Sequence, residues 1–184
     1  MSGLGSSAPT EVDPTLAYFH ALFARLEIEW CVAGAVAANA YRSPRDTTDL
    51  DLVVQIEASR YSAVAEALRA GGWRLLRVSP GGDYPDVVRL EHDEFFPTDL
   101  LLVKTAYQAE ALRRARILPP GSTRILAPED VLIHKLIAYR HRDRADIAEI
   151  LRSGTPLDRS YVEHWSREWE VLERWRDALG ESEG

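Results

Sequence analysis

The stretch WCVAGAVAANAYRSPRDTTDLDLVV, residues 30–54, decides the fold. An apolar strand ends at Gly34, a run of small residues suited to a helix follows, and a second strand carries Asp49 and Asp51. Along a strand, residues two apart project from one face. Asp49 and Asp51 therefore point the same way, leaving Leu50, Leu52 and Val54 to pack. Neighbouring carboxylates raise each other's pKa unless a cation or donor sits between them. A hard divalent cation such as Mg2+, held by one or two carboxylates plus substrate phosphates, answers that need. Gly34 permits a close backbone approach, and the N–H groups of the helix from Ala35 attract an anion. The stretch reads as a metal–phosphate site.

Working upstream, residues 1–12 are rich in Gly, Ser and Pro and are expected to form a disordered tail. Asp13-Pro14 fits an N-cap followed by proline at the first helical position. Leu16, Phe19, Leu22, Phe23 and Leu26 then recur at helical spacing, and Ile28, Trp30 and Val32 alternate into the first strand. Downstream, residues 58–70 predict a helix ended by Gly71-Gly72. Residues 73–78 and 87–91 predict strands joined through Pro80-Gly81-Gly82-Asp83, and residues 95–103 a third hydrophobic strand holding one acid, Asp99. An acid in so apolar a strand is costly to bury unpaired. It is either a strand-end acid facing water or a third carboxylate brought beside Asp49 and Asp51. The existing pair favours the second; Glu91 is the weaker competitor.

The rest of the chain predicts helix. Residues 106–115 form one, residues 123–126 a last short strand, and Ala127-Pro128-Glu129-Asp130 opens a helix through Tyr139. A final helix from Asp158 to about Leu179 lines up Tyr161, Trp165, Trp169, Leu172, Trp175 and Leu179, a stripe for packing or for a binding surface; residues 180–184 are expected to fray. The domain reading is a tail at 1–12, a core at 13–127 and a C-terminal helical region at 128–184 packed on that core. Formal net charge is −7, which disfavours a broad nucleic-acid surface while leaving room for a local basic groove. Arg113, Arg114 and Arg116 supply such a groove or are a solvated helix end. The single Cys31 lies in an apolar strand and reads as core, and no His spacing suits a metal. The longest uncharged segment, residues 30–41, is too short to span a bilayer, and no basic-then-apolar leader opens the chain; a cytoplasmic protein is expected.

The unit strand–Gly34–helix–Arg45-x-Thr47-x-Asp49-x-Asp51, followed by Asp99 in a later strand, resembles the polymerase-beta-like nucleotidyltransferase superfamily. Within it, the chain looks most like the nucleotidyltransferase-like toxins of abortive-infection, type IV toxin–antitoxin systems, and like small antibiotic nucleotidyltransferases. The family's turn is Gly-Gly or Gly-Ser; here Ala35 stands second and offers only its backbone N–H. The resemblance implies an α/β (α+β) fold, a mixed sheet flanked by helices. It also implies a two-metal Mg2+ site on Asp49, Asp51 and Asp99, and a nucleoside triphosphate as substrate. Asp99 would also help deprotonate an acceptor hydroxyl. Gly34, Ala35, Arg45, Thr47 and Lys135 would serve the triphosphate, Lys135 as a point charge. The stretch 135–147, KLIAYRHRDRADI, extends the likeness to the toxins. By it, Asp143 and Asp146 would fix the next helix and hold Arg140 or Arg142. Alternatively, Lys135 is a solvated helix lysine and residues 140–146 an ordinary salt-bridged surface.

Three readings of different class stay open. The chain moves a nucleoside monophosphate to RNA (a tRNA end) or protein, in the manner of the toxins, with an antitoxin protein as a further partner. It modifies a small hydroxylated molecule such as an aminoglycoside, whose positive charge suits an acidic protein. Or it is a non-catalytic, nucleotide- or partner-binding relic, toward which Ala35 points and against which Asp49, Asp51 and Asp99 stand.

Overall fold

A computed structural model describes residues 12–77, 84–117 and 123–183. Residues 1–11 of the tail expected over 1–12, the Pro80-Gly81-Gly82-Asp83 turn and Gly184 lie outside the described residues. Among the described residues eight helices and seven strands alternate, and the strands pair in the order β3-β4-β5-β2-β1-β7-β6. β2 (Leu50–Gln55) runs parallel to β5 (Thr98–Leu102), and β1 (Glu29–Val32) parallel to β7 (Arg124–Ile125). β3 (Arg74–Arg77) with β4 (Val87–Glu91), β4 with β5, and β6 (Arg116–Ile117) with β7 are antiparallel. The sheet is therefore mixed, as expected. No described helix is long and apolar enough to cross a membrane.

The chain forms two compact units, Met1–Cys31 with Thr47–Leu112, and Val32–Asp46 with Arg113–Gly184. In the first, alternation gives the sheet one apolar face. Leu50, Leu52 and Val54 of β2, Val88 and Leu90 of β4, and Thr98, Leu100 and Leu102 of β5 are all buried. The aromatic residues of α1 (Asp13–Arg25) join Trp73, whose ring lies 5.1 Å from Phe19, 5.6 Å from Tyr18 and 5.7 Å from Phe95, stacked on the last. α3 (Ala58–Ala70) adds Val64, Ala65 and Leu68 and ends at Gly71-Gly72 as its sequence predicts. Gly72 has φ +90°, and a Cβ there would meet His92 Nε2 at 2.7 Å, so glycine is required. One expectation fails at α1: Val12, not Asp13, is the N-cap, and no side chain caps it. Asp13 instead takes the first helical position, where its charge suits the positive helix end.

The second unit is mostly helical. The Leu126 N–H donates to Val32 O at 2.9 Å, and the buried Tyr41 hydroxyl to Leu126 O at 2.8 Å. α5 (Pro128–Ala138) packs on α2 (Gly34–Ala38), α6 (His141–Arg152) and α7 (Arg159–Glu168), and α8 (Leu172–Glu183) packs on α6 and α7. The single helix expected over 158–179 is two. Glu170 turns left-handed at φ 56°, its N–H donates to Arg167 O, and the Val171 N–H donates to Ser166 O at 2.8 Å. This is a Schellman ending with glutamate where glycine is usual, so composition hid it. The aromatic stripe divides with it: Trp175 is buried, Trp169 is 37% exposed, and residue 180 lies inside α8 rather than in a frayed end.

Of the three arginines read as a groove or a solvated helix end, Arg113 and Arg116 are exposed, while Arg114 is held by buried acids. Arg114 reaches buried Glu129 (3.0 Å) and Asp130 (3.2 Å) and stacks 3.7 Å from the Tyr161 ring centre, and Arg116 lies 3.5 Å from Glu129. Burial pushes Asp130 up to about 6, against the lowering effect of Tyr161 and Arg114. Its folded form holds a proton more tightly than the unfolded chain, so this group adds stability as pH falls through 6 toward the ordinary carboxylate range. Urea denaturation of wild type and Asp130→Asn is expected to show the difference growing in favour of wild type between pH 7 and pH 5.

Candidate functional site

The register of three strands builds the candidate site of the first unit. Asp51 on β2 pairs with Asp99 on β5, and Asp99 pairs with Arg89 on β4. Directly paired residues share a face, and this is the face opposite Leu50, Leu52, Leu100 and Leu102. Asp49 stands just before β2, two residues from Asp51, where the Thr47 hydroxyl bonds its backbone oxygen (3.1 Å) and its Oδ1 (3.2 Å). The side chains are partly open: 34% exposed for Asp49, 18% for Asp99 and 32% for Arg89. Arg89 Nη1 lies 3.2 Å from Asp99 Oδ2 and 3.8 Å from Asp49 Oδ2, a cation set between two carboxylates. Asp99 Oδ1 is buried and has no hydrogen-bond partner. Burial pushes the Asp99 carboxyl up; Arg89 opposes this and Asp49 adds to it.

Among the described residues no three His, Cys, Asp or Glu groups converge closely enough to hold a metal ion as they stand. The donor set nonetheless fits a hard divalent cation. Its atoms are carboxylate oxygens, and one of them, Asp99 Oδ1, is buried with nothing to bond. Mg2+ commonly takes only one or two carboxylates and fills its shell with phosphate oxygens and water. Arg89 was not foreseen. It sits in an alternating strand like many surface arginines, and only the β4–β5 register reveals its partner.

The other expected residues fall in the second unit. Gly34 opens the five-residue α2 at φ 60°, followed by Ala35. The Asn39 side chain ties the loop, donating to Arg45 O at 2.9 Å and accepting from the Arg45 N–H at 3.2 Å. Arg45 then grips Asp146 with two donors, Nε at 3.1 Å and Nη2 at 2.9 Å. Arg42 Nε lies 3.0 Å from the same carboxylate, and Lys135 Nζ donates to it at 2.5 Å while standing 3.5 Å from Asp143. The Lys135 side chain is only 7% exposed, so it is not a solvated lysine. Asp143 begins α6 as the likeness implies, accepting from the Arg140 N–H at 2.9 Å, with Arg140 Nε at 3.3 Å. Asp146 does not hold Arg140 or Arg142; its cations are Arg42, Arg45 and Lys135. Burial raises its pKa, but those cations and their hydrogen bonds outweigh it and hold the carboxyl below its usual range.

No protein-family model matches the chain. Phospholipid-transporting ATPase 10 of Arabidopsis thaliana is 30% identical over 90 residues, which is 49% of this chain and 7% of that protein, so the chain spans a small fraction of the relative's length. Three solved structures resemble it across most of both chains. The aminoglycoside enzyme ANT(2″)-Ia, in complex with adenylyl-2″-tobramycin, has a TM-score of 0.56 at 16% identity, over 90% of this chain and 99% of that one. An antigenic nucleotidyltransferase-like protein from Paracoccidioides brasiliensis has a TM-score of 0.54 at 13% identity, over 92% of each chain. The lincosamide antibiotic adenylyltransferase LnuA, lincomycin-bound, has a TM-score of 0.51 at 16% identity, over 78% of this chain and 98% of that one. The fold is thus one shared with these solved structures of an antibiotic adenylyltransferase and a nucleotidyltransferase-like protein.

Removing Asp146 strips three cations of a shared acceptor, two of them on buried side chains. Breaking a buried ion pair from one side costs about 3–5 kcal/mol, and Asp146→Ala is expected to lose that much in urea denaturation at pH 7. The carboxyl is held low in the folded state, so its contribution is complete above the unfolded pKa and fades as pH falls through the lower folded value. The gap between wild type and variant should therefore narrow in acid, below about pH 4.

Proposed function

We propose that the protein is a divalent-metal-dependent nucleotidyltransferase that moves a nucleoside monophosphate from a nucleoside triphosphate to an acceptor hydroxyl, releasing pyrophosphate. The observation that carries this reading is the in-register row Asp51–Asp99, with Asp49 beside it and a buried Asp99 oxygen left without a partner. A bound divalent ion supplies charge neutralisation at the phosphate oxygens in an in-line displacement. Asp49, Asp51 and Asp99 would hold it. Asp99, on the half-open face of the sheet, takes the proton of the acceptor hydroxyl. Thr47 braces Asp49 and holds its carboxylate in place for the substrate. Lys135, with its ammonium on Asp146, keeps Arg45 in position by fixing the carboxylate that Arg45 grips.

For the acceptor we favour a small hydroxylated, cationic molecule. A chain of net charge −7 attracts cations and repels a polyanion. Arg114 and Arg116, the nearest thing to a basic groove in the sequence, are bound to Glu129 and Asp130. The likeness to a lincomycin-bound and a tobramycin-adenylating enzyme supports the same choice. The motif from Arg45 to Asp51 and the stretch 135–146 support a second reading, an RNA acceptor of the toxin kind with an antitoxin partner.

Calorimetric titration of the four ribonucleoside triphosphates tests the site. At least one is expected to bind wild type with Mg2+ and to bind at least tenfold more weakly without Mg2+ or to Asp51→Ala. Equal binding in all three cases would overturn the metal-dependent reading. Pyrophosphate release in the presence of aminoglycosides, lincosamides or tRNA then separates the acceptors, and Asp99→Asn is expected to slow it by roughly 10²–10⁴.

A further inference from the structure

We propose that Arg89 is a positioning residue of the site, one that acts through Asp99 by fixing the direction in which its carboxyl points. The inference rests on the metal-dependent reading above and adds a residue to it. β4 and β5 pair antiparallel and set Arg89 directly across from Asp99. Directly opposed side chains of such a pair lie within reach of one another. Arg89 Nη1 donates to Asp99 Oδ2 at 3.2 Å, while Asp49 Oδ2 lies 3.8 Å from the same nitrogen, beyond hydrogen-bond range. Of these two acids, Asp99 is the one that Arg89 holds.

The carboxyl needs such a hold. The last torsion of an aspartate side chain is broad, so a carboxyl without a partner turns readily. Asp99 Oδ1 has no hydrogen-bond partner, and the bond at Oδ2 comes from Arg89. Because the carboxyl is planar, fixing Oδ2 fixes the direction of Oδ1 as well. As a device for stability the contact is weak: the Arg89 and Asp99 side chains are 32% and 18% exposed, and ion pairs near the surface contribute little. As a device for orientation it is effective, because a strand rather than a loop carries the guanidinium, which keeps its proton at any ordinary pH. Groups that hydrogen-bond a ligating or reacting carboxylate govern how well it binds and reacts.

Charge and orientation predict opposite results when Arg89 is removed. A mere positive charge beside the acids repels an incoming cation, so its loss would strengthen cation binding. The loss of an orienting residue leaves a carboxyl that must be ordered anew at each binding event, and cation binding weakens.

Mn2+ affinity measured by electron paramagnetic resonance decides between them, with a saturating non-hydrolysable analogue of whichever triphosphate wild type binds. Arg89→Met and Arg89→Gln are expected to bind Mn2+ about 10–100-fold more weakly than wild type, with Arg89→Lys, which restores one donor, falling between. Their urea midpoints are expected to stay near that of wild type. In an Asp99→Asn background, Arg89→Met is expected to add less than about twofold, because its effect passes through Asp99. Arg89→Met and Arg89→Gln binding as tightly as wild type or more tightly, or the full loss recurring in the Asp99→Asn background, would overturn the inference and leave the metal-dependent reading standing. No nucleotide-dependent Mn2+ in wild type would overturn that reading, and the inference with it.

Discussion

The register between β2 and β5 is the constraint on which the first unit depends. Asp51 meets Asp99 only because Leu50, Leu52 and Val54 meet Thr98, Leu100 and Leu102 on the opposite face. A one-residue slip would exchange the faces of a strand. It would drive Asp99 into a layer that is apolar but for Thr98 and expose Leu100 in its place. An unpaired carboxylate in such a layer costs several kcal/mol or gives up its charge. The apolar face therefore holds the acidic face in alignment, and β4 extends the row by bringing Arg89 to Asp99 under the same rule.

Local pattern made much of the first unit legible. Gly71-Gly72 ended α3 where expected, because a helix stop is written within a few residues of itself. The strand at 87–91 and the shared face of Asp49 and Asp51 follow from period-two alternation in the same way. What stayed hidden was non-local or was written in unusual residues. Arg89 gains its meaning only from a partner strand, and Arg42 and Arg45 from a carboxylate about a hundred residues further along the chain. Strand β6 is two residues long and makes no pattern.

The helix endings show a second kind of concealment. Glu27 and Glu170 both adopt left-handed backbone, at φ 52° and 56°, in turns where glycine is the usual signal. Each is followed by a buried apolar residue, Ile28 or Val171, whose N–H bonds back to the helix, to Phe23 O and Ser166 O. The hydrophobic contact after the turn thus offsets the modest strain of a side chain in that conformation. A reader of composition sees only two more glutamates on a charged surface. The long C-terminal stripe of aromatic residues looked continuous for this reason.

The two charged clusters differ in exposure and in how their carboxylate oxygens are bonded. Around Asp146 three cations share the central acid, and Lys135 and Arg42 also face Asp143 (3.5 Å) and Glu149 (3.8 Å). Both carboxylate oxygens are occupied, by Arg45 and Lys135 with Arg42 alongside, and the side chain is 4% exposed. Such a cluster has no oxygen left to offer and cannot be opened without stranding a buried charge. Around Asp99 the side chains of Asp49, Asp99 and Arg89 are partly exposed, and Asp99 Oδ1 is buried with no hydrogen-bond partner. An unpaired buried oxygen is costly in a folded chain and calls for an explanation such as a bound ligand. That difference in exposure, more than the presence of acidic residues, is why we propose the strand face rather than the Asp146 knot as the site of chemistry.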